Sequence, residues 1–416
     1  MLADYMELAG IEIVNSARAT VYAQARGVPV QCDPCPDLPA ALGDMPYQDP
    51  VTDDAPWYDP AVPESARFLG VLGIGVAGFD SGTLSRTSTP QAGAGASPGK
   101  ARFHPRQLAY TVLMMADGDC ALSYGLEWLS AALQGSACGN CTGDQLCVFS
   151  CCPVDGDQEL RHLYDVGVLD PLEVTDTQYL PGGVRLATVT FSLEALTPHI
   201  YREPLATGQP DDGWVALGNG ETVGPIDPDQ VYERCLEPRP CAQDPLCPPP
   251  PMPPEPPAPQ PPCYATGLGT FRRTRISVSP LAQPQWLETV PVLEVRPGSS
   301  AMRRLIVRFW ENPQGEDCDE LDPCAALTDI NVSSSLPAGS TLRVDGRVRR
   351  SVVECPQVPI GIATSTPTIY GPRGGLHKWP TFVCPTGLCI EVWSQADYTA
   401  PDATARVLLV PRSDVG

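Results

Sequence analysis

Between Cys247 and Cys263 the chain reads CPPPPMPPEPPAPQPPC, and 11 of the 15 intervening residues are Pro. Such a run cannot enter a helix interior or a central strand, because each Pro lacks a backbone donor and has its φ fixed. The expected form is a polyproline II rod at roughly 3.1 Å per residue, about 45 Å in all. A rod separates domains, so residues 1–205 read as one domain, 206–262 as a Pro-rich connector and 263–416 as a second domain. Docking of the rod in an SH3-like groove is its second possible use.

The rest of the chain is punctuated in the same spirit. With 49 Pro and 37 Gly among 416 residues, long helices are disfavoured and short strands with many turns are expected. Before the rod, IEIVNSARATVYA, RFLGVLGIGVAGF, QLAYTVLMMA and VRLATVTFSLEA read as strands. One helix stands out, with Leu122, Leu126, Leu129 and Leu133 on one stripe, Asp119 at its start and Gly135 at its end. After the rod come TFRRTRISVS, WLETVPVLEVRP, RRLIVRFWENP, TLRVDGRVRRSVVE, PTFVCPTGLCIEVW and ARVLLVP. The fold class is therefore mainly β with one or two helices. An α+β N-terminal domain precedes a C-terminal antiparallel β-sandwich or jelly roll.

Charge divides the chain too. Residues 263–416 carry 15 cations and 15 acids, whereas residues 1–262 carry 12 against 34 and hold the whole net charge of −22. So acidic a stretch does not suit nucleic acid or an anionic membrane. The longest nearly apolar run, Phe68–Phe79, has 12 residues against the ~20 a spanning helix needs. MLADYMELAG has neither a basic nor an apolar signal region, so synthesis in a cytoplasm without a signal peptide is expected. Seventeen cysteines pull toward an oxidising destination.

Candidate chemistry is sparse. GIGVAG, with Gly73, Gly75 and Gly78, matches a dinucleotide fingerprint, but the Gly- and Pro-rich residues that follow forbid the required helix. It reads as a strand packed closely on the helix or on another subunit, followed by a mobile or interface-forming loop. GAGASPGKA lacks the phosphate-loop spacing. Cys32, Cys35, Cys138 and Cys141 form two C-x-x-C pairs that would suit zinc; with Cys147, Cys151 and Cys152 nearby, disulfides remain open as well. Cys318 with Cys324, and Cys384 with Cys389, each bracket a short loop that a disulfide could close. Asp317, Asp319, Glu320 and Asp322 could attract calcium or form a solvated turn. Four scattered His and no G-x-S-x-G or H-E-x-x-H argue against an enzyme. Neither a catalytic residue nor an organic cofactor is expected. Trp379, in the Gly/Pro loop GLHKWP, is the candidate stacking platform for a sugar.

Several segments together resemble a known family. GIEIVNSARATVYA, SYGLEWLSAALQG, CGNCTGDQLCVFSCCP, RHLYDVGVLDPLEV and VTFSLEALTPHIYREP resemble minor tail proteins of long-tailed phages (siphophages) infecting actinobacteria, of the distal tail protein kind. The likeness spans residues 8–205. It implies a homo-oligomeric ring, usually a hexamer, in the virion at the junction of tail tube and baseplate or tail tip. The partners it implies are the tail tube protein, the tape measure protein, and the tail-tip hub with other minor tail proteins. The C-terminal half resembles the galectin-like or carbohydrate-module-like domains such proteins append. Virion proteins fold in the host cytoplasm and persist outside it, which reconciles the missing signal with the cysteines. Two alternatives stand beside this one: a host-surface glycan-binding module acting in adsorption, and a cell-wall hydrolase.

Overall fold

A computed structural model describes residues 3–28, 30, 38–43, 46–135, 144–150, 160–205, 213–226, 269–279, 286–312, 317–318, 321, 326–332, 334–355, 369–371, 376–383 and 387–415. The Pro-rich run lies outside them. The protein is mainly β with few helices. It divides into two compact units: Met1–Glu203 with Pro411–Gly416, and Pro204–Val410.

The first unit opens with β1 (Tyr5–Leu8) and β2 (Ile11–Asn15), then α1 (Ser16–Ala25) and α2 (Leu38–Ala41). It continues through β3 (Phe68–Ala77), β4 (Leu84–Pro90), β5 (Ala96–Phe103) and β6 (Arg106–Asp117) to α3 (Asp119–Leu133). β7 (Asp144–Phe149), β8 (Leu160–Tyr179), β9 (Val184–Ala195) and β10 (Ile200–Tyr201) complete it. All pairings are antiparallel. β3, β6, β9 and β8 lie side by side, while the first part of β8 also pairs β7, which pairs β1. β8 changes partner at Asp165, whose φ of 56° is a left-handed turn that Asp tolerates better than most residues.

Alternation along β6 and β9 sets the core. Leu108, Tyr110, Val112 and Met114 of β6, and Val189, Phe191 and Leu193 of β9, are buried on one face. The rings of Tyr110 and Phe191 stack at 5.3 Å. The leucine stripe of α3 enters the same core through Leu122, Leu129 and Leu133. α3 approaches β3 closely because residue 125 is Gly: a Cβ there would overlap the Phe68 ring. Asp119 does not cap this helix, since Gly118 holds that position; Asp119 instead bonds Arg185 at 2.6 Å. α1 was not expected. Its sequence reads as strand, but Asn15 accepts a hydrogen bond from Arg18 N at 3.0 Å and starts a helix there.

The second unit is a two-layered antiparallel sandwich. Its strands are β11 (Val215–Ala216), β12 (Glu221–Ile226), β13 (Gly269–Val278), β14 (Glu288–Arg296), β15 (Leu305–Asn312) and β16 (Thr328–Val332). β17 (Thr341–Asp345), β18 (Arg350–Glu354), β19 (Ile369–Tyr370), β20 (Phe382–Val383), β21 (Gly387–Gln395) and β22 (Thr404–Ser413) follow. One layer runs β12-β13-β21-β15-β16-β19. The other runs β18-β17-β14-β22, with β20 on β14 and β11 on β22. Ile276, Val307 and Ile390 from the first meet Leu293, Val344 and Leu409 from the second in one core. Residues 213–226 were read as connector; they supply β11 and β12, whose backbone bonds to β22 and β13 outweigh a polar, Pro-containing composition.

Candidate functional site

The strand that carries GIGVAG is β3, and it has no phosphate cradle. Its three glycines serve different ends. A Cβ on Gly73 would overlap the Ala3 carbonyl, and Gly73 N donates to the Ser16 hydroxyl at 3.1 Å. Gly78 has φ +104° and sits against the Gln107 carbonyl. Around Gly75 there is nothing within 4 Å of an added Cβ. The expectation that Gly75 packs tightly within the chain is therefore corrected. It lies on the face of the sheet turned away from the core.

That outer face is built of three cross-strand rows. Ala77, Ala109, Ser192 and Asp170 form one, Gly75, Thr111, Thr190 and Glu173 the next, and Leu113, Thr188 and Asp176 the third. The three acids stand three residues apart on β8, yet their partners on β9 stand two apart. Register shifts between Asp170 and Glu173 and between Val174 and Asp176 absorb the difference. Such bulges re-aim side chains, and here they put each carboxylate opposite a hydroxyl. Asp170, Glu173 and Asp176 are exposed, and none makes an ion pair among the described residues. Val168, Leu169, Val174 and Tyr179 of β8 are exposed as well.

A second feature leaves this unit beyond β3. The stretch after Gly78, read as a loop, is the two-stranded hairpin β4–β5, which joins no other strand among the described residues. Nearly every residue in it is exposed. Its small, β-branched and hydroxyl side chains pair as strands because glycines supply the turn at Gly93–Gly95. The base of the hairpin is fixed by Arg106, only 1% exposed. Its guanidinium donates to the carbonyls of Gly78 (2.6 Å), Ser81 (2.8 Å), Pro198 (2.9 Å) and Asp414. The Asp414 carboxylate in turn accepts from Thr83 N (3.0 Å) and the Thr83 hydroxyl (2.6 Å). Burial pushes the Arg106 guanidinium down from its usual range and Asp414 opposes that shift. Sequence reading did not single out Arg106. The available signal was a lone Arg opening an apolar strand, with no acid between Asp80 and Asp117 to pair with it.

Cys147, a buried free cysteine, is not activated by its neighbours. Cys147 faces His162 across β7 and β8. Gln145 Nε2 lies 3.0 Å from His162 Nδ1, and His162 Nε2 lies 2.6 Å from Glu203. Both ring nitrogens are thus engaged and none serves the thiol. Burial, then Glu7 and Glu203, pushes the Cys147 thiol up to about 12, so it stays protonated at neutral pH. Cys318 and Cys389 form a disulfide with each other, 71 residues apart, so neither short loop is closed as the spacing suggested. The pairing of β15 with β21 brings Cys389 beside the segment that follows β15. Cys32, Cys35, Cys138, Cys141, Cys151, Cys152, Cys324 and Cys384 lie outside the described residues, as do Asp319, Glu320 and Asp322. Among the described residues, no three His, Cys, Asp or Glu side chains converge to hold a metal.

Trp379 is not the exposed platform its loop suggested. It packs on the sandwich core and meets the His377 ring edge-on at 4.8 Å, because an indole gains most by burying its apolar area. Trp286, at 75%, is the exposed indole of that unit. No helix among the described residues is long and apolar enough to cross a membrane.

No family model and no curated protein matches the chain. Among solved structures it is similar to the Dit protein of phage SPP1, described as a paradigm of the hub adsorption apparatus in phages infecting Gram-positive bacteria. That match has 11% identity and a TM-score of 0.38, covering 84% of this chain and 95% of the other. The insecticidal delta-endotoxin Cry8Ea1 of Bacillus thuringiensis matches at 8% identity and a TM-score of 0.16, over 82% of this chain and 43% of the toxin. At these scores neither likeness carries an argument about function.

Proposed function

We propose that the chain is a structural protein of the tail tip of a long-tailed phage. Its first unit assembles into a closed ring, a hexamer, between tail tube and baseplate, and its second unit is displayed as a peripheral β-sandwich. One observation carries the reading. Among the described residues, the first unit leaves the part of its sheet around Gly75, Ala109 and the acids of β8, and a hairpin rooted on Arg106, open to contact, which suits binding of other proteins rather than chemistry. The resemblance of residues 8–205 to tail proteins supports it. The protonated, sequestered Cys147 fits a non-catalytic role.

Native mass measurement of the purified full chain tests the proposal. A discrete six-chain species is expected. A chain that stays monomeric at every accessible concentration, with or without tail tube protein, overturns it.

A further inference from the structure

The hairpin β4–β5 and the outer face of β8–β9 carry opposite charge. Residues 1–203 hold only 10 Lys and Arg against 25 Asp and Glu. Three of those ten, Arg86, Lys100 and Arg102, stand exposed on the hairpin, and no acid occurs from Ser81 to Ala116. None of the three makes an ion pair among the described residues. The outer face of the sheet holds the reverse: Asp170, Glu173 and Asp176, exposed and without a cation.

The spacings match as well as the signs. Lys100 and Arg102 are two residues apart on β5 and so point to one side of it. The acids lie opposite Ser192, Thr190 and Thr188, also two residues apart on β9. Both ladders therefore repeat at about 6.8 Å, the rise of two residues in a strand. The two rows that hold Asp170 and Glu173 carry small groups at Gly75, Ala77, Ala109 and Thr111, with Leu113 half-buried in the third, and the space above Gly75 is open. The first two rows thus leave room for a strand to lie against the face at Gly75.

From this we infer that the β4–β5 hairpin of one copy docks on the β8–β9 acidic face of a second copy of this chain, with Lys100 and Arg102 against Asp170, Glu173 and Asp176. The two surfaces are different patches of one molecule, so the contact is head-to-tail and propagates from copy to copy until it closes. The Arg106 and Asp414 anchor fixes the hairpin base, which limits the ordering the contact requires. The inference rests on the ring reading and names the surfaces that build the ring.

A zero-length carbodiimide cross-linker tests it without altering the protein. Lys100 is the only Lys in residues 1–203, and Lys378 is the only other in the chain. Full-length light and heavy-isotope chains are mixed, cross-linked and digested. Lys100 joined to Asp170, Glu173 or Asp176 in light–heavy pairs is expected. In a second arm, Lys100→Glu with Arg102→Glu, and separately Asp170→Lys with Glu173→Lys, should each abolish association with unchanged melting. Mixing the two variants should restore association through one reversed contact per pair. A native oligomer that persists in both variants and gives no Lys100 link overturns this docking and leaves the ring reading standing. A native chain that is monomeric throughout overturns both.

Discussion

The two units differ in how much exposed charge they leave without a partner. In the second, cations and acids face each other across strands: Glu294 accepts from Arg343 at 2.5 Å and from Arg406 at 2.6 Å, and Arg275 meets Glu391 at 3.0 Å. In the first, Arg18 pairs Glu12 at 2.9 Å and Arg185 pairs Asp119 at 2.6 Å, but the most buried cation, Arg106, directs its hydrogen bonds to backbone carbonyls, and the acids of β8 are left on the outside. The first unit, among its described residues, leaves exposed cations on the hairpin and exposed acids on β8 without ion-pair partners.

The comparison predicts where each unit breaks. Arg106→Ala should have the largest effect on the first unit, because it removes a buried guanidinium and its hydrogen bonds to carbonyls of three separate segments. A loss of about 2–3 kcal/mol is expected, the scale of hydrogen bonds made by a charged group. Hydrogen exchange should rise at Thr83 and around residue 414 while the second unit keeps its protection. An equal rise in both units would erase the distinction drawn above.

Cys318→Ser should act on the second unit alone. Closing 71 residues reduces unfolded-state entropy by an amount worth about 4 kcal/mol at 25 °C in the chain-entropy view. Denaturation followed at Trp393, buried in that unit, reads the loss. If the first unit weakens as much, the bond is not a local staple.

Glu294→Gln sharpens the electrostatic half of the contrast. Burial opposes ionisation of Glu294, yet Arg343 and Arg406 outweigh it and hold the carboxyl below its ordinary range. A lowered folded-state pKa means stability that is present above the unfolded value, near 4.3, and lost as pH falls through the folded one. Replacement should therefore cost about 2 kcal/mol at neutral pH, the scale of charge-assisted hydrogen bonds, and progressively less below about pH 4.3. A cost that does not change between pH 7 and pH 3 would assign it to packing. The smallest effect is expected at Gly75, where Gly75→Ser should change stability by under about 0.5 kcal/mol, the range of surface substitutions. Its measurable consequence should be weaker self-association by sedimentation.

The strands were largely legible because hydrophobic alternation reports which face is buried, as in VRLATVTFSLEA and TLRVD. The helix at Leu122–Leu133 was legible for the same reason. α1 was not, because Val21 and Tyr22 carry strand propensity and only Asn15 marks a start. The hairpin β4–β5 was not either, since a strand pair exposed on both faces has no alternation to read. The outer acidic rows depend on bulges in β8, and nothing in LDPLEVTDTQY announces a register shift.

By itself the sequence determined the class of fold, the sandwich strands and the uneven charge, because each follows from composition and local periodicity. Only the tertiary structure decided that Arg106 is a buried clamp, that Cys318 meets Cys389, that Trp379 turns inward and that Gly75 faces open space. Each depends on which strands become neighbours. Strand pairing brings together residues dozens or hundreds of positions apart, and no local pattern encodes that choice.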